Sequence, residues 1–133
     1  MKREHIEYFN SVIAKVKHSV NVRIPITLAD HEQFKGHENA LGICHGFKTP
    51  RMNDWSPEKI TIDEYFVEEC YKAEVEGNQA AQFMLELAGD TLIGVICHEI
   101  AHIYNWRHGK KHTELAQRLV ARVECGEPHG MAA

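Results

Sequence analysis

No stretch of this 133-residue chain approaches the ~18–20 consecutive apolar residues that a membrane-spanning helix requires. No C-x-x-C pair occurs either. Cys44, Cys70, Cys97 and Cys125 stand far apart, which excludes a zinc ribbon and reads as reduced thiols of a cytoplasmic protein. Basic runs stop at Lys110-Lys111, and 19 acidic residues against 15 Lys and Arg leave a formal net charge of −4. Cations facing phosphates supply most nonspecific nucleic-acid affinity, so this balance argues against stand-alone nucleic-acid binding. Met1 to His5 run into an amphipathic pattern rather than an apolar signal segment, so neither export by that route nor membrane attachment is expected. Repeats, low-complexity tracts and interdomain linkers are missing as well. With 44% hydrophobic residues the chain suits a single core. That domain is expected over residues 1–125, followed by a frayed tail at 126–133.

Histidine is what the chain has in quantity, ten in all. Two of them form His98-Glu99-Ile100-Ala101-His102 inside the most apolar stretch. At 3.6 residues per turn, positions i and i+4 lie about 40° apart, so both imidazoles can reach one metal ion from the same helix face. This H-E-x-x-H pattern is that of zinc hydrolases, in which the glutamate is the general base toward a metal-activated water. Gly89-Asp90-Thr91 reads as a helix start with Asp90 as the cap. From Leu92 to Trp106 nearly everything else is apolar or small, which marks a buried helix. Three ionisable side chains inside such a helix need partners, and a metal with its water would supply them.

A catalytic zinc usually has three protein ligands and one open position. His108, six residues after His102 and just ahead of Gly109, is the expected third ligand. A straight helix would point it elsewhere, so the helix must end or bend, with Asn105 or Gly109 able to take the left-handed conformation. A second amphipathic helix follows, its stripe reading His112, Leu115, Ala116, Leu119, Val120 and Val123. His112 lies on that stripe and is expected to pack beneath the site rather than ligate. Glu114 falls off the apolar face and ranks below both histidines as a ligand. His5, His18, His31, His37 and His129 are expected at the surface, whereas His45 is left open between the surface and the cleft lining.

The cluster running from Cys97 to His102 and from His108 to His112 resembles the SprT-like metallopeptidases, the family that includes the Spartan proteases, and more distantly the WLM family. In those proteins H-E-x-x-H is followed by a His-Gly-x-x-aromatic segment whose histidine is the third zinc ligand. His112 stands here where the family has its aromatic. Ala40-Leu41-Gly42-Ile43-Cys44 is similar to the family's Gly-containing strand, and residues 59–63 to the strand that precedes the helices. The resemblance implies a minimal zincin-type domain with one zinc per chain. The five-residue gap before His108 is also that of metzincins, but Asn105 stands where they have Gly, and only Met131 could supply their Met-turn.

Periodicity sketches the rest. Ile6, Phe9, Ile13, Val16 and Val20 predict a helix from Arg3 to Ser19. Residues 22–28 alternate around Pro25, the mark of an edge strand. Residues 41–47 and 59–63 are two more strands, separated by a breaker-rich loop at 48–57. Residues 64–76 and 78–88 are helices split at Gly77. The expected fold class is α+β: an N-terminal helix, a three-stranded antiparallel or mixed sheet, the buried H-E-x-x-H helix and a C-terminal helix.

The functional expectation is a zinc-dependent peptidase acting on a protein or peptide substrate. His98, His102 and His108 would hold the metal and Glu99 would be the catalytic base, with Tyr65, Tyr71 and Tyr104 as candidate oxyanion donors. The alternative is a noncatalytic, zinc-stabilised binding protein that uses the cleft or the acidic surface. A hydrolase of non-peptide amides is a third possibility.

Overall fold

The computed structural model describes residues 1–37, 40–49 and 54–130. The tip of the expected loop, residues 50–53, and Met131 lie outside them. The first helix, α1 (Arg3–Ser19), has the predicted bounds and buries Phe9, Ile13 and Val16. Its stripe is rotated from the expected one. Ile6 is 41% exposed, whereas His5, expected at the surface, is buried edge-on against Tyr71 at 4.6 Å with Nδ1 3.9 Å from Glu68.

The strands form a mixed sheet of order β1-β3-β2. Strand β1 (Ile26–Ala29) lies at an edge, parallel to β3, with Ile26 opposite Ile60. It is shorter than the expected 22–28 run and begins after Pro25, which has no N–H but offers its carbonyl to Ile60 N–H at 2.8 Å. Strands β2 (Gly42–Thr49) and β3 (Asp54–Asp63) are antiparallel, so most of the expected 48–57 loop is hairpin instead. A bulge between His45 and Gly46 lets Gly46 pair with Pro57, and bulges are where a strand tolerates proline.

Helix α2 (Glu64–Glu74) is capped by Asp63, which accepts from Tyr65 N–H, and α3 (Gln79–Ala88) by Asn78, which accepts from Ala81 N–H. The next helix, α4 (Leu92–Tyr104), carries the H-E-x-x-H residues. Thr91, not Asp90, caps it, with Oγ1 accepting from Gly94 N–H at 2.9 Å. Taken together, residues Gln79–Tyr104 are long and apolar enough to cross a membrane. The left-handed Gly89 (φ 71°) breaks them into helices of 10 and 13 residues, too short singly for the ~20 residues required. The last helix, α5 (Lys110–Cys125), buries His112, Leu119 and Val123 along the predicted stripe.

One core joins the layers. Ile96 and Ile100 of α4, Ile60 and Ile62 of β3, Val16, Val67 and Val123 belong to it, each at most 1% exposed. Burying an aliphatic side chain of this size contributes roughly 1.5–3 kcal/mol, so α4 is pinned between sheet and helices by its own apolar faces. After the left-handed Gly126, the His129 N–H bonds the His18 carbonyl at 2.8 Å.

Candidate metal centre

The site forms where α4 ends. Ala101 O accepts from Asn105 N–H, and the chain leaves the helix there because Asn105 turns extended (φ −136°, ψ 90°). The left-handed turn expected at Asn105 or Gly109 is not used; Gly109 is also extended, at φ 168°. This change of direction swings His108 back over the helix it has just left.

Its Nε2 stands 3.2 Å from His98 Nε2 and 3.0 Å from His102 Nε2. A single imidazole nitrogen carries either a proton or a lone pair, so His108 Nε2 cannot serve two such neighbours as both donor and acceptor. A cation shared by the three nitrogens would resolve this. Ligands at 2.0–2.1 Å from a tetrahedral ion lie about 3.3 Å apart, close to the observed spacings. The His102 ring is already oriented for ligation, because its Nδ1–H donates to the Asn105 carbonyl at 3.1 Å and leaves the Nε2 lone pair free. Burial first, then the neighbouring histidines, pulls His98 down to about 4, and burial and His112 do the same for His102. Both rings are therefore neutral at pH 7, as ligation requires.

His112 is the fourth ring of the cluster. By distance alone His98, His102 and His112 also lie close enough to hold a metal ion, with ligand atoms within 4.8 Å of one another. Two features set His112 apart. Its Nε2–H donates to the His98 carbonyl at 2.9 Å, and its ring is stacked on His102 at 4.1 Å with a 29° tilt. An ion must lie in the plane of each ligating ring, and two stacked rings have no common point at bonding distance. His108 meets His102 at 67° and His98 at 37°, which leaves room for convergence.

Glu99 projects from the side of α4 that faces β2 and lines the same cleft, a cavity of about 750 Å³. It is 6% exposed. Burial pushes its carboxyl up to about 7, opposed by the Cys44 backbone N–H that it accepts from. Gly42 makes this fit possible. A Cβ there would lie 2.9 Å from Glu99 Cγ and 3.0 Å from Ile62 Cδ1, so only glycine lets the strand pass over the carboxylate.

Some expected participants are elsewhere. His45 does not line the cleft; it sits on the opposite face of the sheet with Nε2 2.8 Å from Thr61 Oγ1. None of the three tyrosines lines it either. Tyr65 stacks on His31, Tyr71 packs on His5 and Tyr8, and Tyr104 points outward, 63% exposed. Glu114 lies exposed beside Lys110, at 3.9 Å. The wall is aromatic instead: Trp55 and Trp106 stand 6.5 Å apart, with Lys48 Nζ 4.1 Å above the Trp106 ring. His37, though exposed, also reaches the cleft mouth. Sequence reasoning missed Trp55 and the wall. An indole among loop breakers was the one available signal, since its N–H needs a partner once it is partly buried. Comparison with protein-family models, curated proteins and solved structures returns no match.

Proposed function

We propose that this protein is a zinc-dependent peptidase of the SprT-like type, a minimal zincin domain holding one zinc per chain on His98, His102 and His108. The observation that carries the reading is the placement of His108 Nε2 3.0–3.2 Å from the Nε2 atoms of His98 and His102, beside a buried carboxylate in one cleft. When bound, zinc supplies Lewis-acid polarisation of a carbonyl and acidifies water.

The chain's own residues do the rest. Burial holds the Glu99 carboxyl at about 7, and a cation held by the three imidazoles would draw it down from there into the ionised form that accepts a proton at neutral pH. Glu99 accepts a proton from water attacking a peptide carbonyl in the cleft, then delivers it to the leaving amine. Trp55 and Trp106 form an aromatic wall on one side of that cleft. A site built only to stabilise the fold would need the imidazoles and not this carboxylate, whose burial is costly unless a proton or a cation compensates it.

The test pairs metal analysis with peptide cleavage. The wild type should contain about one zinc per chain, and His108→Ala should lose most of it. On any peptide that the wild type cleaves, Glu99→Gln should keep the metal and lower turnover by about 10²–10⁴-fold. Full zinc occupancy in His108→Ala would overturn the ligand set, and wild-type turnover in Glu99→Gln would overturn the base.

A further inference from the structure

Trp55 touches the metal helix in a way that the chemistry above does not use. Its indole N–H donates to the main-chain carbonyl of His102 at 2.6 Å. That carbonyl is in the last turn of α4, where the helix supplies no N–H partner because the chain departs at Asn105. The same residue, His102, holds the Asn105 carbonyl through its Nδ1–H, and the segment from Asn105 onward delivers His108. One indole thus fixes the peptide plane from which two of the three converging imidazoles are set.

The placement of that indole is itself built into the strand. Trp55 pairs with Lys48 on the hairpin arm beyond the bulge at His45 and Gly46. A Cβ at Gly46 would come within 2.3 Å of the Ser56 carbonyl oxygen and 2.9 Å of Trp55 Cη2. The bulge therefore needs glycine so that the ring can turn toward α4, and re-aiming a side chain is what bulges do next to sites.

We infer that the hairpin arm, through Gly46 and Trp55, is a positioning device that clamps the end of the metal helix and sets the His102–His108 geometry. The inference rests on the zinc reading of the site. Trp55 acts through His102 and is a positioning residue, not a ligand.

The experiment measures zinc affinity of the full chain by competition with a chelating dye, with unfolding of the metal-free protein followed alongside. Trp55→Phe keeps one aromatic ring and removes the N–H donor together with the bulk of the second ring. It should weaken zinc binding by roughly tenfold, the lower end of what outer partners of metal ligands contribute, while metal-free stability changes little. The stabilisation conferred by zinc should shrink correspondingly. Gly46→Ala keeps the indole but displaces it, and should weaken zinc binding in the same direction. Undiminished zinc affinity in Trp55→Phe would overturn the clamp while leaving the metal site intact. A Trp55→Phe chain that loses its helical signal without metal would mark the residue as structural and overturn it too. A wild type that binds no zinc would overturn the metal reading and the clamp together.

Discussion

Removing the charge of Glu99 should stabilise the metal-free protein, by an amount that grows from pH 4.5 to pH 7 and levels off above it. The carboxyl is 6% exposed, and burial raises it from 4.5 to about 7 despite the Cys44 N–H. A group whose folded-state value lies above its unfolded one contributes stability that is fully present below pH 4.5. That contribution is lost as pH rises through 7, because folding then requires either a buried charge or an uphill proton uptake. At 1.36 kcal/mol per unit, the gap is about 3 kcal/mol between pH 4.5 and pH 8.5. Glu99→Gln cannot lose it. Its amide oxygen still accepts from Cys44 N–H and its shape is nearly the same. The stability difference between the two proteins should therefore be small near pH 5 and reach about 3 kcal/mol in favour of Gln at pH 8.5. His98 and His102, held at about 4, respond to acid in both proteins, so the difference isolates Glu99. Urea unfolding in the presence of a chelator measures it, with an unchanged slope as the control for compactness. A difference that stays flat from pH 5 to pH 8.5 would refute the reasoning, because the carboxylate would then be as well solvated folded as unfolded.

His112→Phe should keep its zinc and lose roughly 1 kcal/mol, since it gives up one hydrogen bond to a carbonyl that lies in mid-helix and has its own helical partner; zinc loss in that variant would make His112 a ligand. Gly42→Ala should cost about 1–3 kcal/mol by overpacking against Glu99, Ile62 and Val95. It should also depress turnover further than its stability loss explains, and activity equal to the wild type at a temperature where the variant is folded would show that Glu99 tolerates displacement.

The parts of this molecule that could be read in the chain are those that local spacing determines. The bounds of α1, the break at Gly77, the stripe of α5 and the His98–His102 pair each follow from a 3.6-residue period or a cap, and each is where the spacing put it. Where two residues satisfied the same local rule the pattern could not choose. Asp90 and Thr91 are both good caps, and Thr91 is used because the helix begins one residue later than Asp90 would require. His5 and Ile6 are neighbours in sequence but about 100° apart around the helix, and the face that α2 offers, Tyr71 with Glu68, takes the histidine. The errors in the sheet have a different origin. Whether residues 54–57 are loop or strand depends on pairing with 46–49, and a bulge that admits Pro57 cannot be seen in either segment alone. The site shows the same division. Spacing nominates His98, Glu99 and His102, but the approach of His108 depends on Asn105 turning extended. The burial of Glu99 depends on a glycine 57 positions away, and the fixed end of α4 on an indole 47 positions away. A local motif thus names the donors, and contacts distant in sequence make them converge.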